Sequence, residues 1–308
     1  MSAALIVLVL LPLAGAVLPA LARGRRAFPG AVAVLGATLL LDAWLLFATP
    51  AGSATVLSRA WVPALDLTLA LRLDRLSGAT AWLISLAGLG WLWRQKRVAG
   101  REPVDGRDCA LVVLFAGLAQ ALVFAENALL VAALAELGAI AAFALERDRA
   151  AGDGGARPAL YVRSAGSLAL LAAVLLVADT AGSFEFGAVL AAAAPIHEHS
   201  LFPLLFALVL GAAWSRAASW PWSRWPRGAA TGDGATAGFT GAILLATGVY
   251  LVTRLWPLLH GALPLVVTGS GFLALPLLVA ALERVARTFG TDEAPDGAAA
   301  AVEGRARE

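Results

Sequence analysis

Five ionisable side chains stand inside long apolar runs of this sequence: Asp42, Glu136, Arg163, Arg216 and Arg254. Placing such a group at the centre of a bilayer costs roughly 2.5–3.5 kcal/mol on insertion scales, so each one calls for a reason. A carboxylate can take up and release a proton. An arginine stays charged, because its pKa lies above about 12. Glu136 falls mid-run and its side chain is short, so a buried partner or a water-filled cavity is expected for it. A glutamate and an arginine on neighbouring helices would neutralise each other, which is the cheapest way to hold either in lipid. For Arg163 and Arg254 the ordinary reading is snorkelling to the interface. For Asp42 it is a capped or water-exposed carboxylate beside a polar neighbour.

The elements that must position these groups follow from composition. The chain has 308 residues, 60% hydrophobic and 14% charged, with mean hydropathy +0.81. A soluble domain is about 45–50% apolar and about 25% charged, so a water-soluble enzyme is excluded. The net charge of +2 gives no sign of nucleic acid as a partner. The runs predict an all-α, polytopic bundle of about nine spans at about 20 residues each: 3–21, 31–47, 77–92, 110–124, 128–145, 159–178, 201–219, 235–256 and 262–282. Strands are not expected, because helices satisfy their own backbone groups in lipid. The seventh span reads as broken, since Trp214–Ser219 is polar and Pro221 and Pro226 follow. Residues 289–308 read as a disordered cytoplasmic tail.

Arginines cluster after the first, third, fifth, seventh and ninth spans, which places the N-terminus outside and the C-terminus in the cytoplasm. The expected location is the cell inner (plasma) membrane, with lipid as one partner. The loop after the second span (Arg59, Arg72, Arg75) departs from that rule. Trp61, Trp91, Trp93, Trp220, Trp222, Trp225 and Trp256 fall at span ends, as interfacial rings do. No cofactor is expected, since no dinucleotide fingerprint is present. No metal is expected either: His197 and His199 lack further ligands, and the single Cys109 reads as packing.

Several motifs then carry a resemblance. They are Trp61-Val62-Pro63, Leu71-Arg72-Leu73-Asp74-Arg75-Leu76-Ser77, Phe124-Ala125-Glu126-Asn127-Ala128-Leu129-Leu130, Ala135-Glu136-Leu137 and Gly182-Ser183-Phe184. They continue with Gly211-Ala212-Ala213 through Arg216, Pro221 and Trp225-Pro226, then Thr247-Gly248-Val249-Tyr250-Leu251-Val252-Thr253-Arg254. In order and spacing they resemble the antiporter-like membrane subunits of respiratory complex I (NADH-quinone oxidoreductase) and of Mrp-type antiporters. The resemblance implies three N-terminal helices (1–107), an antiporter-like five-helix repeat (108–258) and one further helix (259–288). In the family a glutamate on the fifth helix tunes a lysine on a broken seventh helix, and a histidine or lysine on the eighth relays protons.

Here the glutamate position is Glu136, the lysine position is Arg216 and the eighth-helix histidine position is Thr240. The histidine of the family's P-x-H-x-W segment is Ser223. Arginine does not release its proton, and Thr240 and Ser223 orient water without titrating. Glu136 and Arg216 are therefore expected to form a charge pair, with Arg163, Thr240, Ser223 and Asp42 as further pathway candidates. The resemblance implies a membrane-arm subunit of a complex I-like or Mrp-like assembly, its own proton or cation translocation impaired, partnered by other membrane subunits. The alternatives are the membrane partner of a non-respiratory complex (inorganic-carbon uptake or a membrane-bound hydrogenase) and a non-transporting scaffold. No chemistry is assigned to this chain itself; any oxidoreductase activity would belong to the complex.

Overall fold

The computed structural model describes residues 2–22, 26–62, 67–100, 104–147, 156–217 and 234–260. Within them the chain is a bundle of helices: α1 (Ser2–Gly15), α2 (Val17–Leu21), α3 (Ala27–Ala48), α4 (Arg75–Ala99), α5 (Gly106–Phe124), α6 (Ala128–Arg147), α7 (Ala156–Ala181), the short α8 (Phe186–Ala191) and α9 (Ala193–Glu198), α10 (Phe202–Ala217) and α11 (Gly234–His260). Seven of the described stretches are long and apolar enough to cross a membrane, with α1 and α2 counting as one, and α10 is a shorter apolar helix. The first eight expected spans each coincide with one of these. The expected ninth span, the tail and the prolines after Arg216 lie outside the described residues.

The bundle is apolar on both its sides, as lipid demands. Leu35, Phe115, Phe124 and Leu145 are fully buried in the core, while Leu40 (73%), Phe47 (85%) and Leu168 (64%) point outward. Small side chains let helices approach closely. The tightest case is Gly166 on α7, where an added Cβ would collide with Ser215 Oγ on α10 and lie 2.6 Å from the Ser215 Cβ.

One element corrects the expectation of helices alone. Residues Thr55–Val62 (β1) and Leu67–Leu73 (β2) pair as an antiparallel hairpin between α3 and α4, in register from Thr55↔Leu73 to Ala60↔Thr68, with a bulge before Val62↔Leu67. The hairpin lies between spans, where the rule against lipid-exposed strands does not reach. Leu67, Leu69, Leu71 and Leu73 alternate with Thr68, Ala70 and Arg72, a period-two pattern that suits a strand. Its second edge is occupied: Ala70 O accepts from Glu126 N–H at 2.8 Å, and Thr68 O accepts from Asn127 Nδ2 at 3.1 Å. The hairpin is thereby tied to the α5–α6 connection. Asp74 caps α4, accepting from Ser77 N–H at 2.9 Å in a capping box.

Candidate functional site

Two of the expected site residues meet a third that belongs to no motif. Glu146, in the last turn of α6, takes both arms of Arg163 on α7, Nη1 to Oε2 at 2.9 Å and Nη2 to Oε1 at 2.8 Å. Thr240 on α11 donates to the same Oε1 at 2.5 Å. All three side chains are buried. Arg163 therefore does not snorkel; it is held between helices in the two-pronged geometry only a guanidinium offers. Thr240 acts as a donor to this pair. Glu146 lies at a polar span end, and no spacing rule ties it to Arg163 seventeen residues on. The signal available in the sequence is one acid and one base at the facing ends of consecutive spans.

Arg216, on the last turn of α10, is also buried. Its Nε and Nη2 donate to Thr247 Oγ1 on α11 at 3.2 and 3.1 Å, and its Nη1 donates to the Ala135 carbonyl of α6 at 3.3 Å. Gly138 leaves room for the head group, which lies 4.0 Å from where a Cβ would stand. Glu136 is half-buried and accepts from Ser164 Oγ of α7 at 2.7 Å; its buried Oε2 has no hydrogen-bond partner among the described residues. The expected direct Glu136–Arg216 ion pair is not formed. The Arg216 fork is taken by Thr247 and by the carbonyl one residue before Glu136, so the two charges interact through space rather than through a contact. The close approach of Gly166 and Ser215 sets this geometry, because it fixes Ser164 and Arg216 on adjoining turns of α7 and α10.

A second cluster gathers the motif residues that had no assigned role. Arg254 of α11 donates from Nη1 to Asp74 Oδ2 and from Nη2 to Glu126 Oε2 at 2.8 Å. Arg72 of β2 donates to Asp74 at 3.1 Å and to Glu126 Oε1 at 3.3 Å. Phe186 lies 6.0 Å from the Arg254 guanidinium, and Tyr250 donates to the Val123 carbonyl at 2.6 Å. Arg254 is thus an internal counter-charge, not a snorkelling one. Burial works against ionisation of Asp74, but the Ser77 N–H, Arg254 and Arg72 together outweigh it and hold the carboxyl below its ordinary value. The Leu71–Ser77, Glu126–Leu130 and Thr247–Arg254 motifs, dispersed in sequence, are one structure.

Asp42 on α3 is 1% exposed, which corrects the expectation of a water-exposed carboxylate; its polar neighbours are Ser85 of α4 and Gln120 of α5. Ser223 lies outside the described residues. His197 contacts the Leu258 carbonyl and stacks edge-on against Phe202, and Cys109 is buried. Among the described residues no three His, Cys, Asp or Glu side chains come together as a metal cage would require.

This fold and these clusters define a polytopic helical membrane protein with internally compensated charges. Residues 136–279 match the transmembrane family described as NADH:quinone oxidoreductase/Mrp antiporter. The chain is 32% identical over 265 residues to a probable K(+)/H(+) antiporter component of Rhizobium meliloti (strain 1021), covering 83% of this chain and 26% of that one. Its fold resembles a chain of the Mrp complex from Dietzia sp. DQ12-45-1b, with TM-score 0.69, 26% identity, and coverage of 82% of this chain and 27% of that chain. It also resembles a chain of respiratory complex I from Thermus thermophilus, with TM-score 0.64, 24% identity, and coverage of 85% and 53%. The chain is thus antiporter-like, similar over most of its length to membrane subunits of the complex I/Mrp type. It spans about a quarter of the length of the first curated relatives it matches, 26% in each.

Proposed function

We propose that this chain serves an Mrp-like or complex I-like assembly as a membrane subunit whose own charge line is structural and does not relay protons. One observation carries the reading: the lysine and histidine positions hold Arg216 and Thr240, and Thr240 is spent on a closed Glu146–Arg163 pair. A relay needs groups that exchange protons near working pH. Neither arginine does, and Glu146 is engaged by both arms of the Arg163 guanidinium. Among the described residues, Glu136 is left with a serine hydroxyl and no titrating group in contact.

The proposed placement is the inner (plasma) membrane, N-terminus outside and C-terminus cytoplasmic, beside other membrane subunits. The arginines after the second span are the one discordant loop. Arg72 is neutralised by Asp74 and Glu126, and Arg75 donates to the Thr49 carbonyl at 3.3 Å. Arg72 is thus compensated within the fold and does not count against this orientation, while Arg59 and Arg75 are exposed. The test is cation-driven proton flux in inverted membrane vesicles holding the assembled complex. Glu136→Gln is expected to leave the flux unchanged; its loss in an assembled variant overturns the passive reading.

A further inference from the structure

We propose that Asp42, Ser85 and Gln120 form a proton-binding site, in which Asp42 is held as a neutral carboxylic acid with its proton on Oδ1. The site lies on α3, α4 and α5, away from the Glu136–Arg216 line and outside residues 136–279. It does not depend on whether the chain carries flux.

The argument is a count of donors and acceptors. Asp42 is 1% exposed, and Ser85 and Gln120 are fully buried. Ser85 Oγ donates to Asp42 Oδ2 at 2.6 Å, and Gln120 Nε2 donates to the same Oδ2 at 3.0 Å. The amide nitrogen also reaches the Ala81 carbonyl at 3.3 Å, an acceptor only, which fixes this end of Gln120 as nitrogen, and it lies 2.5 Å from Ser85 Oγ. Thr38, one turn before Asp42 on α3, gives its hydroxyl to the Val34 carbonyl. The two donors to Asp42 among the described residues are therefore both spent on one side of the carboxyl. Asp42 Oδ1 and Gln120 Oε1 remain, both shut from solvent and both without a donor among the described residues.

An ionised carboxylate shares its charge over two oxygens, and leaving one of them dry and unpaired is costly. A carboxylic acid has the asymmetry seen here. Its carbonyl oxygen accepts two hydrogen bonds, and its hydroxyl becomes the donor the cluster lacks. Gln120 Oε1 is the unpaired acceptor on the same cluster.

Charge points the same way. Among the described residues, the hydrogen bonds and charge interactions of Asp42 involve Ser85 and Gln120, with no cation. The helices α1 and α2 carry no ionisable side chain. On α4 the ionisable groups are Arg75, Arg94, Lys96 and Arg97, and on α5 they are Arg107, Asp108 and Cys109. All are nine or more positions along the helix from Ser85 or Gln120, about 13 Å or more at 1.5 Å per residue. On α11, which packs against α4 and α5, Tyr250 is bound at the Val123 carbonyl and Arg254 at Asp74 and Glu126. On α6, Glu136 is bound to Ser164 and Glu146 to Arg163. One positive charge is needed within the cluster itself. A proton supplies it, and the two unpaired oxygens of the cluster are too few ligands for a metal cation that takes about six.

The test is infrared difference spectroscopy on the full chain in its membrane assembly at neutral pH, wild type minus Asp42→Asn. The expected result is a protonated-carboxyl C=O band that is lost in Asp42→Asn and displaced in Ser85→Ala, which removes one donor to Oδ2. A membrane-permeant carbodiimide, which reacts with protonated carboxyls, is expected to label the Asp42 peptide equally in Na+, K+ or choline. The Ser85→Ala displacement and the wild-type labelling remain decisive if Asp42→Asn does not accumulate. No displaced band and no labelled peptide would mean an ionised carboxylate, bridged by water, and overturns the proposal. Protection by Na+ or K+ alone would also overturn it, in favour of a metal-cation site.

Discussion

The two charge clusters of this bundle solve one electrostatic problem in opposite ways. Glu146 and Arg163 form a single pair, buried to 6–9% side-chain exposure, with Thr240 filling the remaining position. Arg72, Asp74, Glu126 and Arg254 form a four-membered ring in which Arg72 and Asp74 keep 27% and 16% exposure. The interior pair has good geometry and no redundancy. The ring has redundancy and partial access to water. Loss of one member should therefore be far more damaging in the first than in the second.

The largest expected effect is that of Glu146→Ala. It leaves Arg163 buried and unpaired, at about 3–5 kcal/mol. The temperature at which the detergent-purified protein aggregates should fall well below that of wild type. The double variant Glu146→Leu/Arg163→Met should recover most of the loss, since a buried pair replaced by apolar groups is often neutral. If Glu146→Ala were as stable as wild type, the pair would not be the buried, unsolvated contact described here.

That pair also marks where the sequence stops being informative. The spans are legible because lipid imposes length and hydropathy on each segment separately. Which charges meet is not, because that depends on helix rotation and on close approaches such as Gly166 against Ser215. Glu136 and Arg216 have the right residue types and the right neighbouring helices, yet Thr247 and a backbone carbonyl claim the guanidinium first. The hairpin is hidden for a different reason: its strands sit between two spans, and a hydropathy reading has no slot for alternation there. The ring is half legible, since Asp74, Glu126 and Arg254 stand in recognisable motifs whose physical purpose emerges only when β2, the α5–α6 connection and α11 come together.

The close approach itself gives the next test, intermediate in size. Gly166→Ala drives a methyl group into Ser215 Oγ and to within 2.6 Å of the Ser215 Cβ. Overpacking of this kind costs about 1–3 kcal/mol. The separation of α7 from α10 should move Arg216 and Ser164 apart, so a crosslink engineered between the two helices should form less readily in Gly166→Ala. Adding Ser215→Gly should restore it, because that removes the atoms the new methyl meets.

The smallest effect sharpens the comparison most, because it separates charge from shape. Asp74→Asn keeps a good helix cap on α4 and removes only the charge that faces Arg254 and Arg72. Glu126 still holds both guanidiniums, so the expected loss is about 1–2 kcal/mol, smaller than for Glu146→Ala. Its pH dependence has a fixed sign. The folded protein holds the Asp74 carboxyl below its ordinary value, which is about 3.9. Stability from such a group is fully present above the ordinary value and is lost as pH falls through the lower, folded one. The gap in thermal stability between wild type and Asp74→Asn should therefore be constant from about pH 5 to 8 and close only below about pH 4. A gap that opened or closed near neutrality would show that the carboxyl titrates there, and that Arg254 and Arg72 do not stabilise its charge.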